Sequence, residues 1–274
     1  LSPDYLAEAR RNLAPWRGVA FVEGPAEKTG LPDGAFDAMT CVYLLHEIPP
    51  EVRRQVAREL ARLLAPGGLL VVVDNTWATG LHFRPLEHGA DLSVYAATKY
   101  LGGHSDLMLG MIVCPDEERY RTIKQFAHGL GMAAGPDDCW LALRGLRTLA
   151  VRLERHLATS LVLAEWLADR PEVDGVLHPA FPGSPGHDIW KRDFSGGGGL
   201  FSILLKPVAE KAVSAMVEGM SLFGMGFSWG GYESLILPSD PAKCRSATTW
   251  DPARPLLRIH AGLEDPRDLI ADLD

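Results

Sequence analysis

Leu69-Leu-Val-Val-Val-Asp-Asn-Thr76 and, further along, Ala96-Ala-Thr-Lys-Tyr-Leu-Gly-Gly-His-Ser-Asp106 are the two stretches on which the fold turns. The first is a short apolar run that ends in an acid. It reads as a buried strand whose last residue, Asp74, lies where open α/β sheets bind their ligands. The second follows another apolar stretch, residues 90–97, and places Lys99 directly behind that strand with two glycines close after it. Asp74 and Lys99 then end neighbouring strands and face one crevice. Each also has a plainer reading: Asp74 as a cap for the next element, and Lys99 as a solvated loop lysine.

Working outward, Pro49-Pro-Glu51 opens a helix whose apolar positions Val52, Val56, Leu60, Leu63 and Leu64 repeat at about 3.6 residues. Pro66-Gly-Gly68 ends it. With a buried strand at residues 38–45 before it, this makes strand–helix–strand, the unit of a helix-covered parallel sheet. Residues 5–13 read as helix, 19–23 as a short apolar run, and 31–37 as a turn on Pro32 and Gly34. Downstream, residues 108–114 read as a strand. Residues 143–168 read as one long helix with Leu146, Leu149, Leu153, Leu157, Leu161 and Ala164 on a single stripe. A Pro/Gly-rich segment at 179–186 and the glycine run 196–199 precede strands at Leu200–Leu205 and Leu256–His260. The class is α/β, with more than one domain.

The 274 residues are 47% hydrophobic and 23% charged, enough for a substantial core. A net charge of −8, from 35 acidic against 27 basic side chains, argues against a general nucleic-acid binder. No apolar run has the length of a bilayer span and no signal peptide is recognisable, so no membrane partner is expected. Cys41, Cys114, Cys139 and Cys244 form no CxxC pair; they read as buried structural thiols in a reducing cytoplasm. The chain starts at Leu1 and stops inside Asp268-Leu-Ile-Ala-Asp-Leu-Asp274, an unfinished amphipathic helix, and both ends are expected to be cut. His104, His128, His156, His178, His187 and His260 show no metal-ligand spacing and read as structural, as do Glu233 and Glu264. Trp77, Trp140, Trp166, Trp190 and Trp250 read as packing residues.

The functional reading of Lys99 needs an amine that can lose its proton and form an imine. Thr98 offers a hydroxyl for a phosphate. Asp74-Asn-Thr-Trp-Ala-Thr-Gly80, the Lys99 stretch, Ser228-Trp-Gly-Gly-Tyr-Glu-Ser-Leu235 and Leu257-Arg-Ile-His-Ala-Gly-Leu-Glu-Asp265 together resemble the Cys/Met-metabolism family of pyridoxal-phosphate (PLP) enzymes, and within it the β-lyases that cleave cystathionine. The resemblance runs from about residue 72 to 274. It implies the PLP-transferase fold type I, aspartate-aminotransferase-like: part of the large domain at 74–146 and a small C-terminal α+β domain at 147–274. By position it implies that Lys99 holds PLP as an imine and moves the substrate α-proton, and that Asp74 pairs with the pyridine nitrogen. Thr98 would touch the phosphate, Arg258 would clamp the substrate α-carboxylate, and Ser228 and Trp229 would line that carboxylate pocket. Trp229 stands where many relatives acting at the γ-carbon carry leucine, which points to β-elimination. Ala96 stands where many relatives carry a phosphate-binding serine. Relatives assemble as tetramers, so a homo-oligomer acting on a small amino-acid substrate is implied.

Residues 1–73 resemble something else. Gly24-Pro-Ala-Glu27, Leu31-Pro-Asp-Gly-Ala-Phe-Asp-Ala38, His46-Glu-Ile-Pro-Pro50 and Leu63-Leu-Ala-Pro-Gly-Gly68 are similar to a Rossmann-like βαβ fragment of class I S-adenosylmethionine (SAM) methyltransferases. The two resemblances meet at Asp74, and the chain reads as a chimera. The PLP family's upstream half-domain, with its Gly-rich phosphate loop and ring-stacking tyrosine, has no counterpart here. Three functions follow: a PLP-dependent carbon–sulfur β-lyase giving homocysteine, pyruvate and ammonia in methionine biosynthesis; a SAM-dependent methyltransferase; or a non-catalytic chimeric fragment.

Overall fold

The computed structural model describes residues 10–11, 25, 27–36, 50–64, 71–241, 250–251 and 253–274. The expected helix at 5–13 (but for residues 10–11), the run at 19–23, the strand at 38–45, the Pro66-Gly-Gly68 stop, His46-Glu47, Cys41 and Cys244 lie outside them. Two compact units are formed, Leu1–Leu70 with Pro241–Asp251, and Val71–Asp240 with Pro252–Asp274.

In the first unit, α1 (Pro50–Leu63) is the helix expected after the double proline. Val56, Leu63 and Leu64 are buried. Phe36 bridges Leu64 in parallel. The Glu59 carboxylate accepts from the backbone and hydroxyl of Thr29 and from Arg62, which also meets Asp33. These partners hold the Glu59 carboxyl down at about 2, Arg62 contributing most.

The second unit holds two sheets. The first is β1 (Val72–Asp74), β2 (Leu92–Ala96) and β3 (Gly110–Val113), in that order. β1 and β2 are parallel with Asp74 opposite Val94, and β3 pairs with β2 antiparallel. The parallel pairing brings the carboxyl ends of β1 and β2 to one edge, as expected for Asp74 and Lys99. The expectation that β1 is buried is corrected: Val72 is 41% exposed, and among the described residues β1 pairs with β2 alone.

Three helices follow: α2 (Glu117–Gly129), α3 (Pro136–Leu146) and α4 (Leu149–Ala168). The single helix expected at 143–168 is in fact broken at Arg147–Thr148. The Gly145 carbonyl, which a continuous helix would use for its own ladder, accepts instead from the Thr148 backbone and the Arg152 side chain. The stripe also differs. Leu146 is exposed and Leu157 and Leu161 lie at the margin, whereas Arg152, His156, Thr159 and Ser160 are buried with Leu149, Leu153, Leu163 and Ala164. This face packs on main chain that needs donors as well as on apolar side chains. His156 Nδ1 lies 2.8 Å from the Ala261 carbonyl, and Ser160 donates to the Gly198 carbonyl.

The second sheet runs β4 (Val173–Leu177), β5 (Leu200–Leu205), β8 (Leu256–His260), β7 (Leu235–Ser239), β6 (Gly224–Met225). It is antiparallel except for the β6–β7 pair. Phe201, Ile203, Leu205, Leu257 and Ile259 alternate onto one buried face, covered by Leu163, Ala164 and Leu167 of α4, Val213 and Val217 of α6 (Glu210–Gly219) and Leu269 of α7 (Pro266–Leu273). A short α5 (His187–Asp193) precedes β5. This is the α+β sheet expected at the C-terminal end, and α7 is the amphipathic helix expected there.

Two further expectations are corrected. Cys139 is exposed and Cys114 only partly buried, so neither is a core thiol. Trp140 is 61% exposed beside Arg144, on a helix that among its described residues buries Gly145 alone. Among the described residues no helix is long and apolar enough to cross a membrane.

Burial dictates a pH response. His178 accepts the Ala180 amide at Nδ1, which places its proton on Nε2, 2.9 Å from Ser160 Oγ. Desolvation lowers its pKa to about 4. The unfolded chain therefore binds the proton more readily, and stability is lost as pH falls from the ordinary histidine value toward the folded one. We expect His178 to contribute a loss of about 2 kcal/mol between about pH 7 and about pH 5. Urea unfolding of the protein and of His178→Asn at both pH values checks this: an equally steep loss in the variant refutes it.

Candidate active site

The turn after β2 is closed by its own backbone: Lys99 N donates to Ala96 O at 3.0 Å, Gly102 N to Ala97 O at 2.7 Å and Gly103 N to Lys99 O at 2.8 Å. It presents Lys99 toward residues 226–229. The Lys99 amine donates to Ser228 Oγ at 2.8 Å and stands 5.5 Å from the centre of the Trp229 ring. Arg258 Nη2 donates to the carbonyls of Gly226 (3.0 Å) and Ser228 (3.3 Å). Lys99, Ser228, Trp229 and Arg258, far apart in sequence, are thus one cluster. Desolvation, then the nearby Arg258 guanidinium, lowers the pKa of the Lys99 amine.

Arg258 reaches this cluster because β8 alternates. Leu257 and Ile259 enter the hydrophobic core, so Arg258 and His260 take the opposite face. His260 accepts the Gly230 amide at Nε2 (3.0 Å), and its Nδ1 lies 3.1 Å from the Glu233 carbonyl. Burial, with His156 adding to it, lowers its pKa to about 3. Gly230 has φ +88°, and a Cβ there would lie 2.7 Å from Tyr100 N and 2.9 Å from the Lys99 carbonyl carbon. Only glycine lets these two loops lie backbone on backbone. Ser105 Oγ donates to Glu233 at 2.6 Å, a second tie between them.

Asp74 is placed through Thr76. Its Oδ1 accepts from Thr76 N (3.0 Å) and Thr76 Oγ1 (2.6 Å), while Thr76 Oγ1 accepts from Ala96 N at 2.8 Å. The acid is thereby pinned to the end of the strand that precedes Lys99. Asp74 is exposed, and among the described residues its Oδ2 has no hydrogen-bond partner. Thr98 Oγ1 accepts from Leu109 N at 3.0 Å and lies 3.4 Å from Leu109 O, so its hydroxyl already serves the β2–β3 connection. Among the described residues no group of three or more His, Cys, Asp or Glu could hold a metal ion.

Residues 49–274 match the model of the Cys/Met metabolism PLP-dependent enzymes, most of the chain. The chain belongs to that family. The methyltransferase domain model matches residues 1–72, so both models cover 49–72. Cystathionine beta-lyase MetC of Escherichia coli (strain K12) is 41% identical over 272 residues, 98% of this chain and 64% of that protein. The cystathionine beta-lyase of Bordetella avium is 45% identical over 215 residues, 78% of this chain and 54% of that protein. A crystal structure of cystathionine gamma synthase from Xanthomonas oryzae pv. oryzae in complex with cystathionine superposes with TM-score 0.69 at 36% identity, over 82% of this chain and 59% of that one. The chain spans less than two thirds of each of these proteins.

The family's cofactor is PLP, and two side chains here have the chemistry that its reactive ends require. A half-buried amine with a lowered pKa suits the aldehyde, and a carboxylate oxygen without a partner suits the ring nitrogen. Arg152, Ser105, Gly230 and His260 shape this site and escaped sequence reasoning as site residues. An arginine beside Leu149 and Leu153 on a helix's apolar face was the available signal for the first.

Gly230→Ala should cost about 2 kcal/mol, from the forced φ and the collision with Tyr100. Its Trp229 fluorescence should shift to the red as the loop lifts. Thermal unfolding and emission spectra check both, and an unaltered spectrum would show that the loop contact is dispensable.

Proposed function

We propose that the chain is a PLP-dependent carbon–sulfur β-lyase that cleaves cystathionine, or related cysteine S-conjugates, to a thiol, pyruvate and ammonia. The observation that carries this is the Lys99 amine, its pKa lowered by burial, held 2.8 Å from Ser228 Oγ with Arg258 adjoining. Lys99 would hold the cofactor, Asp74 would pair with its ring nitrogen, and Thr98 would turn its hydroxyl proton from the Leu109 carbonyl, a long 3.4 Å contact, to the phosphate. Bound PLP supplies an electron sink for the substrate α-carbon. Arg258, anchored by carbonyls on one nitrogen, offers the rest of its fork to the substrate α-carboxylate, and Ser228 and Trp229 wall that pocket. Once the substrate amine takes its place on the cofactor, the freed Lys99 amine would take the α-proton as general base. With the α-proton on Lys99, the β-sulfur would leave as thiolate, and water would convert what remains of the substrate to pyruvate and ammonia. Trp229, in place of the leucine common among γ-acting relatives, supports β- over γ-cleavage.

The domain layout 1–73, 74–146 and 147–274 belongs to this proposal, as do a cytoplasmic setting and a homo-oligomer. Exposed Phe126, Trp140 and Leu143 support self-association. Retained S-adenosylmethionine binding would instead favour the methyltransferase reading of residues 1–73.

Incubation with PLP and gel filtration should leave a bound cofactor absorbance band that Lys99→Ala abolishes. Asp74→Asn should keep the link but lower turnover by about a hundredfold or more, the scale of one lost electrostatic partner. Absence of any lysine-dependent band in the parent protein would leave the non-catalytic reading standing. Trp229→Leu should shift products of cystathionine cleavage from pyruvate and homocysteine toward cysteine, read by product analysis; an unchanged ratio removes Trp229 from the specificity argument.

A further inference from the structure

We infer that Arg152 is a positioning residue for the Lys99 amine, its guanidinium holding the 100–103 turn in the path that keeps the amine against Ser228. The inference rests on the reading of Lys99 given above. Arg152 is 5% exposed and has no carboxylate at ion-pair distance among the described residues. Its donors go to the main chain of the turn and its support: Nη1 to Tyr100 O at 2.8 Å, Nη2 to Gly145 O at 2.8 Å with Leu101 O at 3.5 Å, and Nε to Thr148 Oγ1 at 3.0 Å. A buried guanidinium ordinarily needs an acid. Here the dipoles of the two residues that follow Lys99 take that place, so the charge is solvated only while the turn keeps its shape.

The surroundings are cleared for this arrangement from two elements. A Cβ on Gly103, which has φ +70°, would enter the Arg152 guanidinium, and one on Gly145 would strike the carbonyls of Leu101 and Gly102. At the break between α3 and α4, Arg152 shares the Gly145 carbonyl with the Thr148 amide. Toward the site, the Lys99 amine faces Ser228 and Trp229 from one loop, and the charged Arg258 with the titratable His260 from β8. Burial and Arg258 both favour the neutral amine. A turn released from Arg152 carries the amine toward water and away from Arg258, and its protonation midpoint climbs.

The test is the pH dependence of Lys99 acetylation in the full chain freed of cofactor with hydroxylamine, read by peptide mass spectrometry. Exposed Lys206 and Lys211 serve as internal references. In the parent protein Lys99 titrates below both references. In Arg152→Met its midpoint rises and its labelling near neutral pH falls about three- to tenfold. Arg152→Lys, which keeps the charge but cannot span Tyr100 O and Gly145 O together, gives a smaller rise and carries the test if the methionine variant does not fold. Ile203→Val, destabilised in the other sheet, leaves the Lys99 midpoint where it was. A folded Arg152 variant with the parental midpoint overturns the inference, as does an equal shift in Ile203→Val. If Lys99 of the parent titrates with Lys206 and Lys211, the Lys99 reading itself fails and this inference with it.

Discussion

The contact on which the site depends is a backbone lying on a backbone. Gly230, at φ +88°, brings the 228–234 segment against Lys99 and Tyr100 with no side chain between them. Its amide has no strand partner and is satisfied by His260 Nε2. That single bond requires a neutral imidazole with the other nitrogen directed at the Glu233 carbonyl, and burial supplies the neutrality. The consequence passes outward: with Gly230 fixed, Ser228 and Trp229 have one place to stand, and that place is against the lysine.

A second constraint is that α4 must solvate main chain as well as bury leucine. Its inward face carries a guanidinium, an imidazole and hydroxyls alongside Leu149, Leu153, Leu163 and Ala164. The Arg152 guanidinium, the His156 imidazole and the Ser160 hydroxyl meet carbonyls that belong to irregular chain, at Tyr100, Ala261 and Gly198, while the buried Thr159 hydroxyl has no hydrogen-bond partner among the described residues. Irregular backbone cannot satisfy itself by a ladder, so buried turns require donors from a neighbouring regular element. The glycine run 196–199 shows the same crowding: a Cβ on Gly196 would meet the His82 ring, and one on Gly198 the Tyr100 ring.

Much of this was legible from residues alone, and the pattern of success is physical. β5 and β8 were read to the residue because each is a short apolar-rich run, LFSILL and LLRIH, bounded by Gly199 and Lys206-Pro207 in one case and by Pro255 and Ala261-Gly262 in the other. The meeting of Lys99, Ser228, Trp229 and Arg258 was carried by motifs, since no periodicity connects residues so distant. The break at Arg147–Thr148 was not legible, because no proline or capping side chain marks it; the Gly145 carbonyl turns to the Thr148 amide and the Arg152 side chain. The exposure of β1 was equally hidden: an apolar run reports burial only where another element covers the face its side chains take, as for Val176 of the edge strand β4. The exposed Trp140 and Cys139 misled for a related reason, as apolar residue types were read as core without knowing which way α3 turns.

Tyr100 links the two sheets of the larger unit. Its ring is fully buried among Trp229, His156 and His260, and its hydroxyl accepts the amides of Gly199 and Leu200 at the start of β5. One side chain immediately after Lys99 is therefore bolted to the first residues of the opposite sheet. A hinge between the sheets would have to tear out a phenol and expose two amides, so access to the crevice falls to movements smaller than a sheet. Phe227 and Tyr232, exposed on either side of the Ser228–Gly231 segment, are the groups free to swing without disturbing that bolt.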